Sequence, residues 1–216
     1  GDLDLSVIDE MPPGRKKIAT FWRRENRRKK IYEFAKEKID EGRQSYIVCP
    51  LIEKSEEMPK LISAEELYKD LNSGFFKDYK LALLHSSIPA DEKKEIMENF
   101  RDGKIDILIA TTVIEVGVDV SNASIMIIEN AERFGLAQLH QLRGRVGRGR
   151  YQSYCILISN PPGEDSAHRL EIMCKSNNGF LIAEEDLKMR GPGEFFGTKQ
   201  HGIDDLKVAS LIDDQE

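Results

Sequence analysis

The sequence predicts an α/β fold: a parallel sheet covered by helices on both faces, followed by a helical hairpin and an irregular loop. Short apolar, β-rich runs alternate with helical stretches between residues 25 and 159, which is typical of a parallel sheet. The alternation stops after Pro161–Pro162–Gly163, a sequence that breaks helices and strands alike. The chain has 216 residues, 40% of them hydrophobic, which is enough for one core but hardly for two full domains.

The pattern divides the chain into three segments. Residues 1–22 are predicted to be an extended linker, because Pro12–Pro13–Gly14 breaks any helix. Residues 23–161 form the predicted α/β domain, and residues 162–216 form the hairpin and loop. Because the chain begins without Met, we expect its start to be a cut inside a longer protein.

Each element of the domain has its own signal. Amphipathic spacing predicts a helix over residues 25–41, ended by Gly42, and Pro89 and Gly103 bound another helix. Apart from the helix at 25–41, the predicted elements are strands at 45–52, 79–85, 106–110, 123–130 and 153–159, with helices at 63–73, 90–102 and 135–143. Residues 164–188 read as two helices interrupted near residue 178, and residues 190–202 are too rich in glycine for either element.

Composition excludes several classes of protein. No apolar run approaches the ~20 residues that a membrane span needs, and the N-terminal residues do not resemble a secretory signal. The three cysteines are far apart, which fits a reducing compartment, with Cys49 and Cys155 as buried apolar residues. No histidine stands at a metal-ligand spacing from them, so no metal site is expected. These features predict a cytoplasmic protein.

Charge is distributed unevenly along this acidic chain, whose net charge is −6. Two stretches are basic: residues 23–30 (RRENRRKK), and the segment from Arg133 to Arg150, which contains five arginines. A local basic face on an acidic protein is typical of a phosphate-contacting site. For residues 23–30, a solvated helix face and a contact with DNA both remain open.

Polar residues follow the predicted strands. Cys49–Pro50, His85–Ser86, Thr111–Thr112 and Glu129–Asn130 stand at strand exits, where parallel sheets bind their ligands. His85 has an alternative reading as a polar residue satisfied within the fold.

The strongest signal is QLHQLRGRVGRGR, residues 138–150. Its glycines at 144, 147 and 149 would let the backbone approach a phosphate, and its arginines are rigid, forked donors for phosphate oxygens. An RNA-binding tail with glycine-spaced arginines does not fit, because this array lies between two predicted strands and begins with an apolar helix.

This array, QLRGRVGR, resembles the last conserved motif of superfamily 2 helicases, and ATTVIEVGVDV (110–120) resembles the motif before it. The longer strings IENAERFGLAQLHQLRGRVGRG and DLKMRGPGEFFGTKQHG resemble the RecG family of branch-migrating DNA helicases, and the resemblance covers essentially the whole chain. It implies a RecA-like second motor domain followed by a translocation motif. The transcription-repair coupling translocases share that motor and remain an alternative.

The resemblance also implies roles for individual residues. Arg148, as the arginine finger, and Arg145 would face the γ-phosphate of ATP, with Gln141 orienting the motif, and Gly117 and Asp119 would approach the nucleotide. Gly117 can equally be a structural turn, and Asp119 can cap a helix or pair with an arginine.

A second group of residues is implied to contact DNA or to couple the motor. His85, Ser86, Thr111 and Thr112 would lie near the nucleic-acid backbone. Arg190 and Gln200 would act in the translocation loop, with Arg169 holding the loop in register from the hairpin.

The sequence contains no GxxxxGK[ST] loop to hold the phosphates of ATP. We therefore expect ATP with Mg²⁺ to be held mainly by a first motor domain of the same parent chain, and this segment to be inactive alone. The implied partners are branched or duplex DNA, that first motor domain and a wedge domain. A non-catalytic DNA-binding module is the alternative from another class; it predicts steep salt dependence and no nucleotide effect.

Overall fold

The computed structural model describes residues 16–51, 63–111 and 119–190. Within these ranges six strands pair in parallel to form one sheet. The strands are β1 (Ala19–Arg23), β2 (Gln44–Val48), β3 (Leu81–Leu84), β4 (Ile107–Ala110), β5 (Ala123–Ile128) and β6 (Tyr154–Ile158). Their order across the sheet is β1-β6-β5-β2-β4-β3, which confirms the predicted parallel α/β architecture.

Helices cover both faces of this sheet. They are α1 (Arg28–Asp40), α2 (Ala64–Ser73), α3 (Ala90–Arg101), α4 (Leu136–Arg143), α5 (Glu164–Lys175) and α6 (Gly179–Arg190). Alternate residues of a strand point to opposite faces. Tyr46 and Val48 of β2 accordingly lie in the core under α3 to α6, whereas Ile47 and Cys49 lie in the core under α1 and α2.

The ends of the helices follow from local chemistry. Ser63 caps α2, because its hydroxyl accepts a hydrogen bond from the Glu66 amide at 3.1 Å. The first turn of α3 follows Pro89 and contains two carboxylates, Asp91 and Glu92, which the helix dipole favours. These are the boundaries that proline and capping residues predict from sequence.

The first strand differs from the prediction of a linker over residues 1–22. Residues 19–23 form β1 at the edge of the sheet, paired with β6. The indole N–H of Trp22 donates to the Ser159 carbonyl at 3.1 Å. An edge strand pairs on one side only. The short run ATFWR follows the helix-breaking Pro12–Pro13–Gly14 and joins the sheet through its pairing with β6.

The helical hairpin formed by α5 and α6 packs into the same core as the sheet. Leu170 and Met173 of α5 and Ile182 of α6 are buried with residues of the sheet and of α4. The hairpin is therefore continuous in packing with the α/β domain, and the boundary at residue 162 stays a prediction.

Two cysteines are buried, as predicted. Cys49 and Cys155 are free and fully buried, and burial raises the pKa of Cys155 to about 12, so its thiol stays protonated. In the part of the chain that the structure describes, no helix is long and apolar enough to cross a membrane.

A buried carboxylate anchors α1 to the sheet. Glu129, at the exit of β5, is fully buried and accepts hydrogen bonds from Arg28 Nη2 at 2.9 Å and from the Tyr32 hydroxyl at 2.7 Å. Burial, and then the Glu129 charge, raise the pKa of Tyr32 well above its usual value, so its hydroxyl remains a donor. One arginine of the basic stretch at 23–30 is therefore used inside the fold.

We expect Glu129→Gln to destabilise the chain by about 3 kcal/mol, because it removes the negative charge that Arg28 faces and weakens the acceptor for Tyr32. Chemical unfolding of the 216-residue chain measures the change. The matched control is Glu171→Gln, which breaks an exposed pair with Lys175 and should leave the unfolding midpoint unchanged. Equal midpoints for both variants would contradict the anchoring role of Glu129.

Candidate functional site

The arginine array begins at the end of α4, a short helix that is buried on one side. Leu136, Leu139 and Leu142 bury one side of α4, and the helix begins where the Gly135 amide donates to the Gln138 side chain at 3.0 Å. The chain then turns outward over residues 144–150, where Arg148 is exposed and Arg145 is half-buried. Gln141, also predicted for this site, is exposed on α4.

The structure brings Arg148 and Asp119 together. Arg148 Nη1 lies 3.7 Å from Asp119 Oδ2, and Arg148 Nε donates to the Gly144 carbonyl at 3.3 Å. Of the two readings left open for Asp119, the structure shows the pairing with an arginine. Both side chains are partly exposed, so this contact positions Arg148 without taking its guanidinium out of water.

Tyr46 shows that these charges share one neighbourhood. Burial raises the pKa of the Tyr46 hydroxyl to about 12, and the charges of Arg145, Asp119 and Arg148 also act on it. Val120 and Val146, the chain neighbours of Asp119 and Arg145, are buried in the same core as Tyr46, so these residues lie on the face of the sheet that α3 to α6 cover. Gly117, also predicted to approach the nucleotide, lies outside the described residues.

Two glycines of the array have a different role from the predicted approach to phosphate. A Cβ at Gly149 would lie 2.1 Å from the Ser121 carbonyl oxygen, and a Cβ at Gly147 would lie 2.9 Å from the Ile18 side chain. Gly147 also has a φ of +85°, a backbone conformation that residues with a side chain rarely adopt. These glycines let the array pack closely on other segments of the chain, and this packing fixes where the arginines emerge.

The predicted nucleic-acid residues lie at the exits of β3 and β4. His85 is half-buried and Ser86 exposed, and the amide of Thr111 donates to the Leu84 carbonyl at 3.1 Å. Thr111 is 5% exposed, and its hydroxyl has no hydrogen-bond partner within the described part of the chain. Its side chain therefore does not reach the surface in this structure. Thr112 lies outside the described residues.

Two of the predicted coupling residues converge on the segment that leads into α4. Arg169 of α5 donates to the Phe134 carbonyl at 3.2 Å. Arg190 of α6 pairs with Asp186 at 2.9 Å, and its Nη2 lies 3.9 Å from the position that a Cβ would take at Gly135. Both arginines thus stand beside the start of the helix that carries the array. Gln200 lies outside the described residues.

Sequence reasoning counted Arg143 among the basic residues of the array, but the structure buries it. The Arg143 side chain is 2% exposed, and burial lowers the pKa of its guanidinium. Its acceptors are the carbonyls of Met173 and Ser176, each at 2.8 Å, and the Thr20 hydroxyl at 3.3 Å. Helical spacing could have revealed this, because residue 143 is four residues after Leu139 and falls on the buried side of α4.

A basic cavity of about 560 Å³ lies beside the array. It is bounded by residues 16–18, the array and the α5–α6 turn, and four cationic side chains line it: Lys16, Lys17, Arg148 and Lys175. This charge suits an anionic ligand. Across the described ranges, no group of three or more His, Cys, Asp or Glu side chains is arranged to hold a metal ion.

Comparison with known proteins gives two family matches. Residues 26–150 match the helicase conserved C-terminal domain, and residues 176–216 match the C-terminal part of domain 3 of the ATP-dependent DNA helicase RecG. Among curated proteins, the chain is 51% identical to the ATP-dependent DNA helicase RecG of Thermotoga maritima over 99% of its length. It is 47% identical to that of Bacillus subtilis, again over 99%. It spans 27% and 31% of those two relatives.

Solved structures agree with these matches. A structure of RecG bound to a three-way DNA junction superimposes with a TM-score of 0.72 at 49% identity, over 87% of this chain and 24% of that one. S. cerevisiae Dbp5 bound to RNA and ADP BeF3 matches with a TM-score of 0.53 at 17% identity, over 81% of this chain and 45% of that one. The second likeness concerns the fold alone, which is RecA-like as predicted.

We expect Gly149→Ala to destabilise the chain by roughly 1–3 kcal/mol, because the added Cβ meets the Ser121 carbonyl and the backbone must move. Thermal unfolding measures the loss. Gly163→Ala is the matched control, since a Cβ there meets nothing within 4 Å. If both variants unfold at the same temperature as the wild type, the close approach of the array to Ser121 does not fix its position.

Proposed function

The chain belongs to the family of helicase conserved C-terminal domains, and on this premise we propose that it is the second motor domain of an ATP-dependent DNA helicase of the RecG type. One observation carries the proposal: Arg148 is exposed in the segment that follows the packed helix α4, in a chain that contains no phosphate-binding P-loop. An arginine so placed would serve a triphosphate held by another domain.

We assign Arg148 as the arginine finger and Arg145 as its neighbour at the γ-phosphate. Within the described residues, Arg148 is held only by an exposed carboxylate and a carbonyl, and Arg145 keeps part of its surface in water, so both would reach a ligand bound beside the array. Gln141, Gly117 and Asp119 would complete this side of an ATP-binding cleft between this domain and the first motor domain. ATP with Mg²⁺, bound mainly by a P-loop domain outside this chain, would supply the phosphoryl group and the charge that these arginines stabilise.

We further propose that the hairpin couples ATP turnover to movement along duplex DNA. Arg169 and Arg190 contact or approach the Phe134–Gly135 segment at the start of α4, so closure at the array displaces the hairpin with it. The residues that follow residue 190, among them Gln200, would pass this movement to the DNA. His85, Ser86 and Thr112 would lie near the nucleic-acid backbone, with the buried Thr111 beside them.

The DNA substrate is proposed from the relatives. The solved RecG structure is described as bound to a three-way DNA junction, and similarity to RecG runs over 99% of this chain in the Thermotoga maritima protein. We therefore propose that the parent protein remodels branched DNA, such as stalled forks and Holliday junctions, in bacterial recombination and repair. Its first motor domain and a wedge domain that splits the branch are the remaining partners.

In a full-length RecG protein carrying this sequence, we expect Arg148→Ala to lower the rate of fork-stimulated ATP hydrolysis by roughly 10³-fold or more, because an arginine finger contributes that much. Steady-state phosphate release measures it. Arg101→Ala, at an exposed arginine on α3 that pairs with Asp102, is the matched control and should hydrolyse ATP normally. The 216-residue chain alone should not hydrolyse ATP above background. Normal hydrolysis by Arg148→Ala would contradict the assignment.

For Arg190→Ala in the same protein, we expect fork-stimulated ATP hydrolysis to persist while fork unwinding is lost, because the change removes the cation beside the start of α4 and leaves the array intact. Both rates are measured side by side on one forked substrate. Lys188→Ala, which removes an exposed cation from the same helix, is the control and should keep both activities. If Arg190→Ala keeps both activities too, the hairpin does not couple the motor.

A further inference from the structure

Arg143 joins the helix that carries the arginine array to the helical hairpin. Its Nη1 donates to the main-chain carbonyls of Met173 and Ser176, each at 2.8 Å, and to Thr20 Oγ1 on β1 at 3.3 Å. The side chain is 2% exposed. One buried guanidinium therefore connects α4, the edge strand and the end of α5, and all of these acceptors are neutral.

The two carbonyls are groups that a helix leaves without an internal partner. Met173 lies in the last turn of α5, and Ser176 is the C-cap of that helix. The last four carbonyls of a helix lack intrahelical donors, and the helix dipole favours a cation beside them. Arg143 thus caps α5 from another helix, so the end of the hairpin's first helix is placed by α4.

His140, one turn before Arg143 on α4, extends the contact to the start of α6. Its Nδ1 lies 3.1 Å from Arg143 Nη2 and accepts a hydrogen bond from it when the ring is neutral. Burial, and then the Arg143 charge, lower the pKa of His140, which favours that neutral form. On the other side of the ring, a Cβ at Gly179 would lie 2.7 Å from Nε2. The second helix of the hairpin therefore begins against this imidazole.

We propose that Arg143 is a positioning residue that makes the arginine array and the hairpin one rigid unit, so that movement of the array during ATP turnover is passed to the hairpin. This inference rests on the proposed function of the array. Arg143 does not contact the nucleotide itself, because its guanidinium is buried and held by four acceptors within the chain. Its role is thus distinct from that of Arg148, which lies five residues later, beyond the end of α4, and is exposed.

The test compares ATP hydrolysis with fork unwinding in a full-length RecG protein carrying Arg143→Met. We expect hydrolysis within about twofold of wild type and unwinding reduced about tenfold, a size typical of residues that modulate coupling between sites. Arg143→Lys keeps a cation at the end of α5 and should restore part of the unwinding. Arg101→Met, an exposed arginine of similar size on α3, should change neither rate.

A second pair of variants tests the same link sterically. Gly179→Ala pushes α6 away from His140, so unwinding per ATP hydrolysed should fall. His140→Ala introduced into that variant removes the clash and should restore the ratio, while Arg143 keeps its three other acceptors. A residue that only stabilised the fold would not produce this compensation in the ratio of the two rates.

Two results would overturn the inference itself, and a third would overturn the proposed function on which it rests. If Arg143→Met lowers hydrolysis and unwinding by the same factor, or lowers neither, Arg143 does not transmit movement from the array. If His140→Ala fails to relieve Gly179→Ala, the imidazole does not set the position of α6. If instead the wild-type protein hydrolyses ATP without unwinding forks, the proposed function is wrong and this inference falls with it.

Discussion

The rest of the site depends on the burial of one side of α4. A helix of eight residues does not hold its shape alone in water, so α4 exists because Leu136, Leu139 and Leu142 are buried between the sheet and the hairpin. The segment that continues from the C-terminal end of α4 therefore starts at a fixed position and in a fixed direction. The position of α4 therefore determines where the exposed arginines emerge, where Arg148 meets Asp119 and where the hairpin makes its contacts.

Two kinds of arginine follow each other within six residues. Arg143 is desolvated and surrounded by neutral oxygen and nitrogen acceptors, whereas Arg148 remains partly in water beside an exposed carboxylate. A buried guanidinium is costly unless its donors are satisfied, which makes its position rigid. A hydrated guanidinium can reorient towards a developing charge at little cost. The same residue type thus provides a fixed joint on the buried side of α4 and a mobile electrostatic group in the segment that follows the helix.

Much of the fold could be predicted because parallel strands buried on both faces are largely apolar, as in β4 (ILIA), whose residues are all buried. The edge strand β1 was missed, because a strand with one partner carries a weaker signal than the prolines before it. The array was recognisable from its glycines and arginines. Sequence could not show that Gly149 approaches Ser121 or that Arg148 pairs with Asp119, since both contacts join segments separated by more than 25 residues.

The edge strand also gives the protein a built-in optical probe. Trp22 is the one tryptophan of the 216 residues, and its indole is hydrogen-bonded to the carbonyl of Ser159 and packed beside the core under α3 to α6. Its emission therefore reports on the pairing of β1 with β6 and on the adjoining core. Residues 16–18 line the basic cavity and lead into this strand. A ligand that displaces them would therefore change the polarity around the indole. The molecule can thus be followed in solution without a label.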